Sequence, residues 1–236
     1  IKRPPPLDRD EPENLATAIE LMNLNHAVIT VVNRDDLEDS GASHYRLCLE
    51  AVAARCPDVT LELLSSDLAG DFEDLATLLN GLKLDVFAHN VECVPRLDKL
   101  VRDHRASFDQ SLSILREAKR LRPDILIKSS LMVGLGETDQ EVSEALQLLR
   151  SSGVDFVTIG QYLAPSTRHH PIDRFPEPEK FAMWEEEIES LGFLGSACGP
   201  MVRSSYRAGD LLDKARKFLA EQTSTSLRKE IEQVKI

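Results

Sequence analysis

The chain of 236 residues carries 40 acidic against 28 basic side chains, a formal net charge of -12. That balance argues against a nucleic-acid binder, whose phosphate contacts call for a basic face, and the apolar stretches are broken by charge and too short to span a bilayer. The length fits one α/β domain or a large piece of a barrel, and no Gly/Ser-rich or Pro-rich linker divides the middle into two independent domains.

The first residues read IKRPPPLDRDEP, with Ile1 where a Met would begin a protein and a Pro4-Pro5-Pro6 run that reads as the exit from a preceding loop. A helical pattern over 14–24 follows. After it, strand-like runs at 27–32, 59–64, 84–89, 125–130 and 154–160, and a further one near 193–197, alternate with helical stretches at 43–55, 71–81, 108–121, 139–151 and 177–191. The strand-like runs are apolar without clean alternation, as in strands covered on both faces. Their order predicts successive βα units and a parallel sheet. Such an array should begin with a strand, so the chain as given is expected to start one element late. Ser107 with Gln110, and Thr138 with Glu141, match the capping box at a helix start. The charged tail from Leu211 predicts a peripheral or frayed helix, dividing the chain into 1–210 and 211–236. Cys48, Cys56, Cys93 and Cys198 are scattered with no C-x-x-C pair, which predicts reduced, buried thiols in a cytosolic or organelle-matrix protein.

In parallel βα folds the chemistry gathers at the carboxyl ends of the strands. The loops expected there are rich in polar residues: NRDDLEDSGASH, SSDLAGD, HNVE, SSLMVGLGETD and QYLAPSTRHH. The opposite turns, RCPD, NGLK, RPD and SSG, are short and ordinary. In GLGETD, Gly134 and Gly136 would let backbone approach a ligand, and Glu137 and Thr138 open a helix whose N–H groups could receive an anion or a polar edge. The motif lacks the third glycine of a dinucleotide fingerprint and the lysine of a P-loop, and a plain strand-to-helix turn explains it equally well. Lys128 falls inside a strand, where a lone ammonium is costly; it is either a nucleophile of the Schiff-base kind or the partner of a carboxylate such as Glu92 or Glu137. Arg102 with Arg105, and Arg168 with His169 and His170, form basic patches suited to carboxylate or phosphate recognition or to plain solvation. Ser204 and Ser205, flanked by Arg203 and Tyr206, fit no nucleophile elbow.

Six separated blocks, NRDDLEDSGASH, HNVECVPRL, VRDHRASFDQSL, KSSLMVGLGETDQE, GQYLAPSTRHHPI and GPMVRSSYRAG, resemble lipoyl synthase, a family of radical S-adenosylmethionine enzymes, in order and near the family's spacing from about Arg3 to Gly209. The resemblance implies an α/β partial barrel and the insertion of two sulfur atoms into an octanoyl chain on a lysine of a carrier protein. It implies S-adenosylmethionine and two 4Fe-4S clusters as cofactors, one cluster cleaving the adenosylmethionine and the other supplying sulfur. Ser40, Gly41 and Ala42 match the loop holding the methionyl amino group, and Asn90 and Glu92 the loop facing the ribose. Lys128, Ser130, Gly134, Gly136 and Glu137 match the strand and turn on the adenosylmethionine side. Gln161, Tyr162, Pro165 and Ser166 match the loop closing the nucleoside pocket. Either Ser204 or Ser205 corresponds to an oxygen ligand of the auxiliary cluster, with Arg203 positioning the segment. Ser40 stands where a glycine is usual, Asn33 where aspartate is common, and Ser129-Ser130 where Ser-Gly is common. Both cysteine motifs of the family lie outside this sequence, so their ligands are expected upstream of Ile1 and the chain by itself is expected to be inactive.

The implied partners are an octanoylated lipoyl carrier domain, the glycine cleavage H protein or a dehydrogenase E2 domain, and an electron donor such as ferredoxin or flavodoxin. Arg102, Arg105, Arg168, His169, His170 and Arg207 would meet the acidic carrier, while nucleic acid and membrane are not expected. Two rival readings remain: a non-catalytic relative that keeps the carrier-binding surface, and a metal-free barrel enzyme using Lys128. The compartment expected is the cytoplasm, or a plastid or mitochondrial matrix.

Overall fold

A computed structural model describes residues 4–220. Helix α1 (Glu11–Leu21) leads into β1 (His26–Thr30), α2 (Ala42–Arg55), β2 (Thr60–Leu64), α3 (Phe72–Leu79) and β3 (Val86–Ala88). A short α4 (Asp98–Val101) precedes α5 (Phe108–Leu121), β4 (Leu126–Val133), α6 (Asp139–Ser151), β5 (Phe156–Gln161), α7 (Pro178–Ser190) and β6 (Gly195–Gly199). Residues 208–220 are helical and are called α8 here. The six strands pair in sequence order, every neighbour parallel, so the predicted βα array is an α/β partial barrel. Each predicted strand and helix is present. β3 is shorter than the run at 84–89, β4 extends to Val133, and α4 was not expected from the sequence.

Strand residues two apart share a face, and the parallel register carries each face across the sheet. Leu61, Leu63, Phe87, Ile127, Leu131, Val157 and Ile159 are fully buried, in one cluster with Leu49, Val52, Leu75, Leu115, Leu146 and Trp184 of the helices. The other face, through Glu62, Val86, Leu126, Lys128 and Phe156, lines the inside of the partial barrel. There Val86 and Phe156 pack with Leu211, Leu212 and Ala215. The start of the tail is therefore seated on the sheet rather than peripheral: Leu211, Leu212 and Ala215 fall on one helical face, and Arg216 reaches Asp85. Residues 221–236 of the predicted tail lie outside the described ones. Among those described, no helix is long and apolar enough to cross a membrane.

The two cap predictions differ in outcome. Thr138 and Glu141 form the full reciprocal box at the start of α6. Ser107 accepts from the Gln110 backbone N–H, but the Gln110 side chain turns away and donates to Asp67 at 2.8 Å. The box is half made because Gln110 ties α5 to the loop after β2.

Candidate functional site at the carboxyl ends of the strands

Parallel pairing brings every strand-to-helix loop to one end of the sheet. Over β1, β2 and β3 lies a polar cavity of about 240 Å3, lined among others by Asn33, Ser65, Asp67, His89, Asn90, Glu92 and Arg102. A larger cavity of about 610 Å3 lies beside β1 and is lined by Pro4 to Leu7, α1, α2 and the start of the loop after β1, Arg34 included; it is mainly apolar.

The polar cavity is built from the loop backbones inward. His89, directly after β3, is 6 % exposed; its Nδ1 is 3.0 Å from the Ser65 carbonyl and its Nε2 2.9 Å from Ser111 Oγ. Arg102 donates to the same hydroxyl at 2.9 Å, and only 8 % of its side chain is exposed. The carboxamide of Asn90 donates to Glu92 at 3.3 Å. Burial pushes the Glu92 carboxyl above its ordinary range, since desolvation opposes charge. Burial, with Arg102 nearby, pushes the His89 imidazole below its own. Ser65 Oγ is buried and has no partner among the described residues, and Glu92 holds a positive φ of 66°. An unpaired buried hydroxyl and a strained non-glycine residue mark a place where a ligand can supply what the protein omits.

Ser40, Gly41 and Ala42 lie at the start of α2, at the outer wall of the same end, all buried. Ser40 has φ 51° and Gly41 φ 89°, which is why glycine suits the first position. A Cβ on Gly41 would stand 2.6 Å from the Tyr45 ring, and the Tyr45 hydroxyl donates to the carbonyls of Val32 and Ser40. Asp39 receives the N–H groups of Gly41 and Ser43.

The residues grouped over β4 and β5 are arranged differently. Lys128 does not reach Glu92 or Glu137. It points to the inner face and pairs with Glu62 at 2.7 Å, each side chain 2 % exposed. A lysine so enclosed is poorly placed as a Schiff-base nucleophile. Ser130 bonds Thr158. In the glycine turn the free N–H groups are already taken: Glu137 accepts from the backbone of Gly134 and Leu135, both at 2.8 Å, and Arg174 contacts Glu137. The space beside Gly134 holds Gln161 Nε2 at 2.2 Å and the Arg174 carbonyl at 2.5 Å from where a Cβ would sit. Gln161 donates to the carbonyls of Tyr162 and Arg174, and Tyr162 donates to that of His170. This turn is closed by the protein's own chain, Gly136 excepted, beside which only Asp173 approaches.

Arg105 is exposed and paired with Asp103 and Asp35. Arg168 and His169 are exposed in the loop after β5, with Ser166 bonding His169. Arg203 donates to the carbonyls of Val202 and Pro200, and the Val202 carbonyl lies 2.3 Å from where a Cβ on Gly160 would stand; this close approach seats the segment after β6 on β5. Ser204 is half-buried and Ser205 exposed. The described residues hold one group of three metal-ligating side chains, Glu11, His44 and Cys48, and it includes neither serine. Cys48, Cys56 and Cys93 are buried and Cys198 half-buried. Burial pushes the thiols of Cys48 to about 11 and of Cys93 and Cys198 to about 12, away from the thiolate an iron-sulfur cluster needs. The residues present do not fit a 4Fe-4S cluster. The donors of the polar cavity, a guanidinium, a carboxamide, a carboxyl and an unpaired hydroxyl, do fit the amino-acid and ribose ends of S-adenosylmethionine.

The comparisons with known proteins decide the family. The model of the Radical SAM superfamily matches residues 1–149. The chain belongs to the radical SAM superfamily. It is 46% identical over 229 residues to the mitochondrial lipoyl synthase of Branchiostoma floridae, covering 95% of this chain and 61% of the relative. It is 47% identical over 226 residues to the chloroplastic lipoyl synthase of Arabidopsis thaliana, covering 96% and 57%. The resemblance drawn from the six blocks is thus borne out across nearly the whole chain, and the chain spans about three fifths of the length of these relatives. The crystal structure of methylornithine synthase (PylB) superimposes with a TM-score of 0.60 at 14% identity, covering 78% of this chain and 53% of that one, which supports the α/β partial-barrel fold. His89, Ser65, Asp67 and Ser111 were not singled out from the sequence; the first three stand in the polar loops after β2 and β3, whereas Ser111 sits on α5 inside the quoted block VRDHRASFDQSL, where nothing set it apart from its neighbours.

Proposed function

We propose that the chain is the adenosylmethionine-binding and carrier-docking part of a lipoyl synthase, an enzyme that inserts two sulfur atoms into an octanoyl chain carried on a lysine. The observation that carries this reading is the polar cavity over β1–β3 in a chain 46–47% identical to lipoyl synthases. The reaction takes an adenosylmethionine cluster for radical generation and a second cluster as sulfur source. This chain's residues contribute binding and exclusion of water. Asn90, Glu92, Arg102 and the Ser40–Ala42 loop face or wall the cofactor, and Lys128, Ser130, Gly134, Gly136, Glu137, Gln161 and Tyr162 brace its far side. Ser204 or Ser205, set by Arg203, would complete the auxiliary cluster in the presence of cysteine ligands that these residues lack. An octanoylated H protein or E2 lipoyl domain docks against Arg105, Arg168 and His169, and ferredoxin or flavodoxin supplies electrons, in a plastid or mitochondrial matrix or a cytoplasm.

The test has two arms. The full-length protein, reconstituted anaerobically, is expected to convert an octanoylated H protein to the lipoylated form, read by mass; no conversion by a cluster-loaded sample overturns the reading in favour of a non-catalytic relative. Residues 1–236 alone are expected to retain no stoichiometric iron and sulfide after the same treatment, and finding both would overturn the assignment of the cluster ligands to other residues.

A further inference from the structure

With His89 neutral, four groups at the polar cavity form a chain whose polarity is fixed by what each can do. The Ser65 carbonyl only accepts, so the His89 proton is on Nδ1. Nε2 then accepts, and the Ser111 hydroxyl, 2.9 Å away, donates to it. The Ser111 oxygen in turn accepts from Arg102, which can only donate. The second face of the guanidinium meets Asp98 at a loose 3.5 Å, which leaves donor capacity aimed into the cavity beside the unpartnered Ser65 Oγ.

We propose that neutral His89 positions Arg102 through Ser111, so that the guanidinium meets the carboxylate of an amino-acid-bearing ligand in this cavity. The inference rests on the adenosylmethionine reading and adds the residues that set the geometry. Arg102 touches the ligand; His89 and Ser111 are positioning residues. Protonating His89 would turn Nε2 into a donor, deprive the Ser111 O–H of its acceptor, and place an imidazolium across one hydroxyl from a guanidinium. The groups facing His89 are Ser65 and Asp67 from the loop after β2, Ser111 from α5, and Arg102 from the turn after α4; Asp67 favours the proton, whereas burial and Arg102 oppose it. Folded His89 thus binds its proton more weakly than the unfolded chain. Its contribution to stability is complete above the unfolded imidazole's pKa of about 6.5 and is lost as pH falls below it.

Calorimetric titration of the full-length, cluster-loaded protein with S-adenosylhomocysteine and with 5′-methylthioadenosine, which shares the nucleoside but lacks the amino-acid end, tests this. Arg102→Met is expected to weaken S-adenosylhomocysteine by about ten- to a hundredfold and to leave methylthioadenosine within about twofold. Ser111→Ala is expected to cost S-adenosylhomocysteine about three- to tenfold and to abolish the fall in its affinity as wild type is taken from pH 7.5 toward 5, where ~6.5 is the free imidazole value. Both pH series are run in a Glu92→Gln background, because the raised Glu92 carboxyl titrates in the same cavity. Equal losses for both ligands in Arg102→Met, or an unchanged pH profile in Ser111→Ala, overturn the inference. If wild type binds neither ligand, the adenosylmethionine reading itself fails; if it binds both and Arg102→Met binds as wild type, only the positioning chain fails.

Discussion

The two halves of the loop end are built on opposite principles. Over β1–β3 the protein leaves a cavity with a buried hydroxyl unpaired, a half-engaged guanidinium and a residue at positive φ. Over β4 and β5 the polar groups are spent on the protein itself: Glu137 on its own turn, Gln161 on two carbonyls, and Lys128 on Glu62 beneath. Residues that look alike in sequence, polar and glycine-rich after a strand, therefore do different work. One half leaves donors and space open, and the other is closed on itself.

That contrast breaks most visibly at Lys128. Replacing it with Met leaves the Glu62 carboxylate buried without a counter-charge, and the expected loss is about 3–5 kcal/mol in a urea melt. A Glu62→Leu, Lys128→Met double variant should recover most of it, since removing both charges removes the desolvation problem. A single variant as stable as wild type would show that the pair is not what braces the inner face. Next in size is Gly134→Ala. The new methyl would meet the Arg174 backbone at 2.5 Å and sit at φ 92°, so a loss of about 2 kcal/mol is expected. A neutral outcome would mean that the turn after β4 opens readily and is not the closed wall described here.

The fold was legible because short, mostly apolar strand-like runs alternate with helical stretches along the chain, two of the helices opened by a capping signal. The contents of the two loop regions were only partly so. The sequence leaves Lys128 as either a nucleophile or the partner of Glu92 or Glu137; its actual partner lies 66 residues away, and only the parallel register places Glu62 and Lys128 on one face. The glycines at 134 and 136 announce positive φ, but a motif does not say whether the freed N–H groups face a ligand or Glu137. His89 stood in a quoted loop and Ser111 in a quoted block, but only the fold brings the two side chains to 2.9 Å. The tail read as peripheral because its charge dominates the composition, while three apolar positions decide where it packs.

A finer comparison lies in the two helix starts. At α6 the box is closed on itself, so Thr138→Ala should cost about 1 kcal/mol and leave ligand titrations unchanged. At α5 the Gln110 amide is lent to Asp67 on the cavity wall. Gln110→Leu should cost a similar ~1 kcal/mol and also change the affinity for S-adenosylhomocysteine. If the two variants affect binding alike, the distinction between a self-contained half and a ligand-directed half does not extend to the helices below.

The smallest expected effect on stability separates the two arginines that the sequence grouped together. Arg102 is enclosed and belongs to the cavity, so its reversal to Glu would damage the site and says nothing about docking. Arg105 is exposed, and its pairing with Asp103 and Asp35 holds both carboxylate neighbours in a solvated network whose worth to folding is slight. Arg105→Glu is therefore expected to leave the melting midpoint of the protein where it is. If an acidic carrier docks on this side, the same change should weaken carrier binding at low salt, with the difference shrinking as ionic strength rises past that which screens exposed charges. Carrier affinity that ignores both the reversal and the salt would move the docking surface away from Arg105 and toward the loop of Arg168 and His169 on the β5 side.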